Sequence, residues 1–331
     1  MTPPRLRALV LAAGRGERLR PLTETLPKPL LPVAGRPLVA WTLERLRRAG
    51  VEAVALNLHH RGEAIRATLG ESYRGLPLTY SVEQELLGTG GALPPLAEFL
   101  GAADLVLVVN GDSLCRWPLA DLLTRHRRDR PAATLLFQRT VEPRDFGGGV
   151  ALDRGWVAAF RRGALAWEAS PTRRVFAGAA LLEPALVGRL PPGRSDIVAA
   201  LYEPLLAAGE AIAAVETARA WHDLGTPARY LAGALDWALT GRPERSARTF
   251  AGAAVDPTAR LSRVVVEGGA TVEAEARVSD TLILAGARVG AAAEVRRSIV
   301  GPGAVVGPGE RLDGVMRLVV GPAPSDTPLG R

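Results

Sequence analysis

A short early segment, Leu11–Pro32, carries the residues with the clearest chemical potential. It opens with a glycine turn after an apolar run, and such a turn lets backbone N–H groups approach a phosphate or a base closely. Further along, Lys28 lies between two prolines, whose fixed φ angles stiffen the backbone. A rigidly held cation near a glycine turn suits a charge aimed at phosphate. The alternative is a surface lysine in a proline-rich turn.

Lys28 is also unusual within the chain as a whole. The sequence has 331 residues and a net charge of +7, and Lys28 is the one lysine among its 41 basic residues. Ala, Gly, Pro and Leu are heavily used while Asn and Gln are rare, so we interpret the composition as a coding bias. There is no lysine-rich arm and no basic stripe with interleaved aromatic residues, which disfavours a nucleic-acid partner. Phosphorylated small molecules remain open as ligands.

The glycine turn matches neither of the two common phosphate-binding motifs. Leu19 stands where a dinucleotide fingerprint has its third glycine, and no Gly-Lys-Ser/Thr follows as in a P-loop.

Strand-like and helix-like stretches alternate from Arg5 to about Leu239. These elements must position the glycine turn and Lys28. The predicted strands are Leu6–Ala13, Val54–Leu58, Leu76–Val82, Asp104–Asn110, Ala132–Gln138 and Val175–Leu182, and the predicted helices are Pro37–Ala49, Leu119–Arg128, Asp196–Ala208 and Pro227–Leu239. This alternation predicts an α/β domain with a Rossmann-like, mostly parallel sheet. Ligands of such sheets bind beyond the carboxyl ends of the strands, which directs attention to the loops after Ala13 and Asn110.

The C-terminal part of the chain follows a different pattern. After a polar linker that begins at Gly241, aliphatic residues recur about every six positions, with occasional intervals of five: Val255, Leu261, Val266, Val272, Val278, Leu284, Val289, Val295, Val300 and Val305. Small residues stand beside many of them, which is typical of hexapeptide coils in a left-handed parallel β-helix; the alternative is an irregular β-rich tail. Acyl transfer in such coils usually needs a histidine base, and all four histidines precede the linker. We therefore expect the coils to serve homo-oligomer assembly.

Composition excludes several other classes of protein. The single cysteine, Cys115, excludes an intramolecular disulfide and a multi-cysteine zinc site. The best apolar run, Leu105–Val109, is far shorter than the roughly 18–20 residues of a membrane span. The first residues show no signal-peptide pattern, so we expect a cytoplasmic protein.

Five motifs in order resemble one family. The segment Leu11–Pro32 is similar to the signature of the sugar-1-phosphate nucleotidylyltransferases, and the later matches are Glu83-Gln-Glu-Leu-Leu-Gly-Thr-Gly-Gly-Ala, Val109-Asn-Gly-Asp, Phe176-Ala-Gly-Ala and Trp221-His-Asp-Leu-Gly-Thr-Pro. The resemblance covers roughly residues 5–240, and a hexapeptide tail is common in one branch of the family. It implies a nucleotidyltransferase domain over 1–240, a linker over 241–250 and a β-helix with its tail over 251–331.

The resemblance also implies a reaction and a set of site residues. An oxygen of the sugar phosphate attacks the α-phosphate of a nucleoside triphosphate, and pyrophosphate leaves without a covalent enzyme intermediate. By resemblance, Arg18 and Lys28 are catalytic cations, and Asp112 and Asp223 hold Mg²⁺, an ion that takes one or two carboxylates together with phosphate oxygens. Taken singly, either aspartate could instead be a helix cap or a turn residue. The implied nucleotide-binding residues are Leu11, Ala12, Ala13, Gly14, Gly16, Glu83, Gly88 and Thr89, and the implied sugar-binding residues are Asn110, Gly149 and Gly178.

The stretch from Glu83 bears on the choice of base. Guanine presents N1–H and N2–H₂ donors side by side, and one carboxylate can accept both, whereas the carbonyls of uracil and thymine would repel it. The stretch is similar to that of mannose-1-phosphate guanylyltransferases, which favours GTP. Uridylyltransferases acting on N-acetylmuramate 1-phosphate have a similar stretch. The alternative is that Glu83 is a solvated loop carboxylate and the backbone of Ala12–Gly14 reads the base.

The sugar pocket departs from the family pattern. Many relatives have Glu-Lys-Pro where this chain has Arg161, Arg162 and Gly163, and Phe176 replaces a common asparagine. Sugar identity therefore stays open, and Arg162 would favour an acidic sugar. We expect GDP-mannose synthesis; the alternatives are uridylyl or thymidylyl transfer to another sugar 1-phosphate, and a non-catalytic regulatory paralogue.

Overall fold

The computed structural model describes residues 4–160, 165–170, 172–242, 246–320 and 323–330. By internal contacts the chain divides into two compact units. The first, called here the sheet unit, consists of Met1–Arg15 with Val39–Trp221. The second, called the stack unit, consists of Gly16–Leu38 with His222–Arg331. The domain boundaries at 240 and 250 stay a prediction, and the spatial grouping places the segment that bears Lys28 with the C-terminal half of the chain.

The strands of the first two-thirds of the chain are short and mostly apolar. In chain order they are β1 (Leu6–Leu11), β2 (Pro32–Val33), β3 (Arg36–Pro37), β4 (Ala53–Leu58), β5 (Ser72–Tyr73), β6 (Leu76–Val82), β7 (Leu105–Asn110), β8 (Ser113–Cys115), β9 (Ala133–Gln138), β10 (Val150–Asp153), β11 (Trp156–Ala159), β12 (Thr172–Leu182), β13 (Ile212–Thr217) and β14 (Trp221–Asp223). The six strands predicted from the apolar runs are all present, with ends that differ by up to three residues.

One sheet organises the sheet unit, and it is mixed. Its described strands lie in the order β10-β11-β13-β9-β12-β7-β1-β4-β6-β5. The predicted parallel arrangement therefore holds in part of the sheet. The pairs β1–β4, β1–β7, β4–β6 and β9–β13 are parallel, but β12 runs antiparallel to both β7 and β9, and β10–β11, β11–β13 and β5–β6 are antiparallel as well. Apolar runs indicate burial and do not encode strand direction, so the antiparallel strands could not be recognised from the sequence.

Helices and tight helical turns connect these strands. The α-helices are α1 (Leu22–Thr25), α2 (Leu38–Arg48), α3 (Gly62–Leu69), α4 (Gly88–Gly91), α5 (Ala97–Gly101), α6 (Leu119–Asp129), α7 (Leu165–Ala169), α8 (Glu203–Ala207) and α9 (Pro227–Leu239), and 3₁₀ turns cover Glu17–Leu19, Lys28–Leu30, Pro94–Leu96, Pro143–Phe146 and Pro184–Arg189. The helix predicted over Asp196–Ala208 is instead a π turn, Val198–Tyr202, followed by α8. α9 has its predicted bounds because Thr226 caps it and Pro227 suits its first turn. Within the described residues, no helix is long and apolar enough to cross a membrane.

The central strands are buried on both faces, and their register brings their carboxyl ends together. Leu9, Val106 and Leu135 belong to the main core of the sheet unit. Leu11, the last residue of β1, pairs with both Asn57 and Asn110, the second-last residue of β4 and the last of β7. Because these strands are parallel, the loops that follow them start from the same edge of the sheet.

A buried carboxylate on α2 supports a prediction about acid stability. Glu44 accepts hydrogen bonds from Arg47 and, at 2.7 Å, from Arg48, and these arginines lower its pKa to about 2. Because this pKa lies below the ordinary glutamate pKa of about 4.5, the ion pairs of Glu44 stabilise the fold above pH 4.5, and this contribution is lost as pH falls towards 2. Both arginines are partly exposed, so we expect Glu44→Gln to cost about 1 kcal/mol at neutral pH. Denaturant melts should converge with those of the unmutated protein near pH 2; a constant difference from pH 7 to 2 would contradict this account.

The C-terminal part of the chain consists of short strands that pair in parallel at a fixed offset. The strands are β15 (Ala247–Thr249), β16 (Ala254–Val255), β17 (Arg260–Val266), β18 (Thr271–Val272), β19 (Arg277–Ile283), β20 (Arg288–Val289), β21 (Glu294–Arg296), β22 (Ile299–Val300), β23 (Val305–Val306), β24 (Arg311–Asp313), β25 (Val315–Val320) and β26 (Ala323–Pro328). Arg260 pairs with Arg277, Arg277 with Glu294 and Glu294 with Arg311, each 17 residues further on. Only the last pair, β25–β26, is antiparallel among the described C-terminal strands. We call the residues from Ala247 to Val320 the strand stack.

The residues predicted at a spacing near six mostly fill the interior of the strand stack. Val266, Val272, Val278, Val289, Val295 and Val300 are buried in one cluster, and Val255 and Leu261 pack against it. Leu284 is also buried. Val305 is the exception, because it is 50% exposed and Val306 takes the interior position. The predicted linker contains a strand, β15, and its residues 243–245 lie outside the described residues.

Candidate active site

The residues predicted to bind the nucleotide base lie at the carboxyl edge of the sheet unit. Leu11 ends β1, Ala12 and Ala13 are buried directly after it, and Gly14 is exposed. The Ala12 N–H donates to Asn57 Oδ1 at 2.8 Å. The loop after β1 therefore starts from a backbone position fixed by a side chain of the neighbouring strand.

Asn57 links this loop to Glu83. Its Nδ2 donates to Glu83 Oε1 at 2.8 Å, and the Leu87 N–H donates to Glu83 Oε2 at 2.9 Å. Both side chains are buried, with Asn57 4% and Glu83 5% exposed. His59 Nδ1 contacts the Glu83 carbonyl oxygen at 2.9 Å. The Asn57 amide and the Leu87 N–H thus orient the carboxylate, and His59 contacts the backbone of the same residue.

The burial of Glu83 bears on one part of the alternative interpretation, that the residue is solvated. A solvated loop carboxylate is wrong for this structure, because Glu83 is almost fully buried and both of its oxygens accept hydrogen bonds. A carboxylate has about four lone-pair sites, so two acceptor positions remain for a ligand. The carboxylate can therefore keep its protein contacts while it accepts two donors from a planar base.

Gly88 and Thr89 form the loop next to Glu83 and pack on the segment Ser195–Ile197. Gly88 has a φ of +76°, and a Cβ there would lie 2.5 Å from the Ser195 carbonyl oxygen. The Thr89 hydroxyl donates to Asp196 Oδ2 at 3.2 Å and accepts from the Ile197 N–H at 2.9 Å. These contacts fix the loop itself, and only glycine fits its first position.

Two of the three predicted sugar residues meet at the end of β7. A Cβ on Gly178, which has a φ of +78°, would lie 3.0 Å from Asn110 Cβ. Gly111 follows Asn110 and donates its N–H to the Leu11 carbonyl oxygen at 3.0 Å, and a Cβ on it would lie 2.9 Å from that oxygen. Asp112 comes next in this tightly packed turn and is half-buried.

Gly149, the third predicted sugar residue, directly precedes β10 and packs against β12. A Cβ there would lie 2.8 Å from the carbonyl oxygen of Arg174, four residues before Gly178, and the Gly149 carbonyl accepts from Trp167 Nε1 at 3.2 Å. A cavity of about 680 Å³ beside it is lined by Pro143, Arg144, Gly147, Gly148, Trp167, Arg173 and Arg174. Arg161, Arg162 and Gly163, where the family pattern is broken, lie outside the described residues.

The predicted cations and the second aspartate belong to the stack unit. A Cβ on Gly16, which has a φ of +63°, would lie 2.9 Å from Thr23 Cγ2 and 3.4 Å from Lys28 Cβ. Thr23 Oγ1 donates to the Gly16 carbonyl oxygen at 2.9 Å. Lys28 itself is 6% exposed and begins a 3₁₀ turn after an extended Pro27. The lysine stem is therefore packed under the glycine turn.

Arg18 and Asp223 are brought together at Gly225. A Cβ on Gly225 would lie 2.7 Å from Arg18 Nη2 and 2.9 Å from Asp223 Oδ1. Asp223 Oδ2 accepts from Arg229 Nη1 at 2.6 Å. The first turn of α9 thus orients the carboxylate from one side, and its other oxygen lies near Arg18.

This crowding predicts the effect of a methyl group at Gly225. Gly225→Ala should displace the Arg18 guanidinium and the Asp223 carboxylate, and we expect kcat to fall by about tenfold, as small misplacements in active sites do. The matched control is Gly188→Ala, because nothing lies within 4 Å of a Cβ there. Steady-state kinetics of both purified variants test the prediction, and equal kcat values for the two would refute it.

The carboxylates of Asp112 and Asp223 have the donor chemistry that a hard divalent ion prefers. Among the described residues there is no cluster of three or more His, Cys, Asp or Glu side chains that could hold a metal by itself. A metal bound by one or two carboxylates completes its shell with water and substrate phosphates, so a full protein cage is not required. The residues present therefore fit such an ion.

Four residues of the site were not assigned a role from the sequence. They are Asn57, Gly111, Gly225 and Arg229. Asn57 had a usable signal, since it is one of two asparagines in the chain and lies near the end of a predicted strand. The other three act through close packing or a pairing six residues away, which the sequence pattern does not reveal. Cys115 is buried.

The geometry defines the class of protein. A mixed α/β sheet carries a fixed carboxylate and a glycine loop at its carboxyl edge, and the other unit holds two cations and a carboxylate around a glycine turn. These groups are typical of an enzyme that acts on a nucleotide and its phosphates.

Comparison with known proteins identifies the family. The profile of the Nucleotidyl transferase family matches residues 7–161. Mannose-1-phosphate guanylyltransferase of Mycobacterium tuberculosis is 36% identical over 271 residues, which cover 79% of this chain and 74% of that protein. Mannose-1-phosphate guanyltransferase of Yarrowia lipolytica is 32% identical over 269 residues, covering 78% and 73% respectively. The chain belongs to the sugar-1-phosphate nucleotidylyltransferases, a family whose members generally use a divalent metal.

Solved structures share the fold. A putative glucose-1-phosphate thymidylyltransferase from Bacillus anthracis, in complex with sucrose, superposes with a TM-score of 0.62 at 21% identity over 70% of this chain and 95% of that chain. HddC from Yersinia pseudotuberculosis, complexed with GMP-PN, gives a TM-score of 0.58 at 20% identity over 70% and 99%. At these identities the similarity concerns the fold alone.

Proposed function

We propose that this enzyme transfers GMP from GTP to mannose 1-phosphate and releases pyrophosphate. The observation that carries the proposal is the Glu83 carboxylate, which is buried, fixed by Asn57 and Leu87, and still has acceptor positions left. Guanine presents two adjacent donors that match these positions, whereas uracil and thymine present one donor between two carbonyl acceptors. Relatives named as mannose-1-phosphate guanylyltransferases, at up to 36% identity among those compared, support the same substrates.

The chemistry is a single displacement at phosphorus. A phosphate oxygen of mannose 1-phosphate forms a bond to the α-phosphorus of GTP, and the bond from that phosphorus to the bridging oxygen breaks. The electron pair leaves with pyrophosphate, so no proton has to move at the reacting centre. Negative charge accumulates on the equatorial oxygens, and catalysis therefore depends on position and on fixed positive charge.

The cations of the stack unit supply that charge. In the proposal, Arg18 binds the triphosphate and Lys28 contacts the α-phosphate and the sugar phosphate. The burial of Lys28 supports this role, because its stem is packed by Gly16 and its position is set before the substrates bind. The Arg18 guanidinium packs closely against Gly225, and this contact positions it. Neither cation has to reorganise during the reaction, which is what electrostatic catalysis requires.

The remaining site residues keep the roles that the family resemblance implies. Leu11, Ala12, Ala13, Gly14, Gly16, Gly88 and Thr89 surround the nucleotide, and Asn110, Gly149 and Gly178 surround the sugar. Asp112 and Asp223 each offer a carboxylate to Mg²⁺, which when bound neutralises phosphate charge. Arg229 Nη1 donates to Asp223 Oδ2 at 2.6 Å and so orients the carboxylate before the ion binds.

A substrate panel tests the function directly. The full-length protein is incubated with Mg²⁺, one of GTP, UTP, dTTP or ATP, and one of mannose, glucose or N-acetylmuramate 1-phosphate, and pyrophosphate release is measured. We expect the highest kcat/KM for GTP with mannose 1-phosphate. Turnover with UTP but not with GTP would overturn the base assignment, and no turnover with any pair would favour the non-catalytic paralogue.

We further propose that the strand stack is a left-handed β-helix of hexapeptide coils through which copies of the chain assemble. The pairing offset of 17 residues supports it, because two intervals of six and one of five make one coil. Sedimentation of the full chain tests the assembly, and a monomer at micromolar concentration would contradict it. The cytoplasmic location stays a prediction from the sequence.

A further inference from the structure

The hairpin that follows the Lys28 turn rests on the strand stack, and both belong to the stack unit. β2 and β3 pair through Pro32 with Pro37 and Val33 with Arg36, which leaves Ala34 and Gly35 at the tip with positive φ angles. The Gly35 N–H donates to Glu267 Oε1 at 3.1 Å. A Cβ on Gly35 would overlap the Phe250 ring, so the tip lies directly against that ring.

Glu267 is an unusual residue for its position in the strand stack. Its backbone continues the stack, since its N–H donates to the Ile283 carbonyl oxygen at 2.8 Å. Its side chain is 4% exposed, and burial raises its pKa while the hydrogen bond from Gly35 opposes that rise. A buried carboxylate is costly unless it is paired or hydrogen-bonded. The hydrogen bond from the hairpin tip, together with the positive charge of Arg248, therefore makes a carboxylate tolerable there.

A second contact holds the other end of the hairpin. The hydroxyl of Tyr230, a fully buried residue of α9, donates to the Pro32 carbonyl oxygen at 2.7 Å. Backbone hydrogen bonds join the hairpin to the 3₁₀ turn that begins at Lys28. The Leu31 N–H donates to the Lys28 carbonyl oxygen at 3.1 Å, and the Leu38 N–H donates to the Leu31 carbonyl oxygen at 2.9 Å. Contacts therefore run without a gap from Glu267 through the hairpin to the backbone of Lys28.

We propose that Glu267 is a positioning residue for Lys28, acting through the hairpin tip, and that the strand stack is thereby a working part of the active site. The proposal rests on the catalytic role given to Lys28 under the proposed function. Its physical basis is that a catalytic cation must be held to within a fraction of an ångström by its supporting residues. In this chain the support comes from residues more than 200 positions away in sequence.

The test compares two carboxylates of the strand stack in the full chain. Glu267→Ala removes the acceptor for Gly35, while the matched control Glu273→Ala removes a carboxylate that accepts from Arg288 and from the Ala291 N–H, both within the stack. Glu267→Gln keeps an acceptor oxygen at nearly the same place. For each variant, kcat and both KM values are measured, together with amide hydrogen exchange over residues 32–38.

We expect Glu267→Ala to lower kcat by about tenfold, with smaller changes in KM, and to speed exchange at residues 32–38. Glu273→Ala should change neither kcat nor the exchange at residues 32–38. Glu267→Gln should keep kcat within about twofold of the unmutated enzyme. If Glu267→Ala fails to fold, Glu267→Asp, whose carboxylate is one methylene shorter, takes its place with the same expectations.

Three results would overturn the proposal: an unchanged kcat in Glu267→Ala, an equal loss in Glu273→Ala, or faster exchange without a loss of kcat. Failure of the proposed function looks different, because the unmutated protein would then show no turnover of GTP with mannose 1-phosphate. If only the catalytic role of Lys28 fails, Lys28→Ala leaves kcat unchanged, while the exchange difference between Glu267→Ala and Glu273→Ala persists as a purely structural effect.

Discussion

Lys28→Ala should lower kcat by at least ~10², because the substitution removes a fixed positive charge from the phosphorus centre at which negative charge accumulates. Lys28 is 6% exposed and its stem packs under Gly16, so the side chain is oriented before substrate binds. The loss should fall mainly on kcat, since the charge acts more strongly in the transition state than in the ground state. Steady-state pyrophosphate release at saturating GTP and mannose 1-phosphate measures it.

The lysine stem also fills space, and a second substitution separates the two effects. Lys28→Met keeps most of the side-chain volume and removes the charge, so it should lose kcat to a similar degree while it melts close to the unmutated protein. If Lys28→Met retained full kcat while Lys28→Ala lost it, packing and not charge would be responsible. An unchanged kcat in both variants would remove Lys28 from the mechanism.

Glu83→Gln should weaken the use of GTP by about 10- to 100-fold in kcat/KM, which corresponds to the loss of a hydrogen bond to a charged acceptor. The glutamine amide has one acceptor and one donor end, and its NH₂ group would face a guanine donor. The same amide suits the N3–H and carbonyl edge of uracil, so the ratio of UTP to GTP turnover should rise. Kinetics with GTP, UTP and inosine triphosphate, which lacks the N2 amino group, measure the change.

Inosine triphosphate makes this test specific for the carboxylate. The unmutated enzyme should prefer GTP to inosine triphosphate, and Glu83→Gln should lose most of that preference. The matched control is Glu85→Gln, because Glu85 lies two residues further along the same loop and is exposed. A variant at Glu83 that keeps both its GTP turnover and its discrimination would place base recognition elsewhere, with the backbone of Ala12–Gly14 as the next candidate.

Much of the fold could be predicted from local patterns. The apolar runs located β1, β4, β6, β7, β9 and β12, and the capped and proline-led segment located α9 to the residue. The spacing of aliphatic residues located the interior of the strand stack up to Val300. Local patterns failed where a long-range choice was involved. The direction of β12 depends on which neighbours it pairs with, and the exposure of Val305 depends on a one-residue change of register.

The candidate site divides in the same way. Residue chemistry and motif order singled out Lys28, Glu83, Asp112 and Asp223. A lone lysine between two prolines, and acidic residues within the ordered motifs, can be recognised from the sequence alone. The groups that orient them were not visible. Asn57 and Arg229 act by hydrogen bonds to Glu83 and Asp223, and such pairings exist only once the chain has folded.

The sequence by itself therefore determined the family and the reaction class, and it predicted the charged groups of the site, since these depend on residue types in a fixed order. Tertiary structure alone decided that Glu83 is a buried, oriented carboxylate, and that the hairpin after Lys28 is held by Glu267 from the far end of the chain. The physical reason is that the orientation and burial of a charge are set by the neighbours that fold around it. Those neighbours are close in space and distant in sequence.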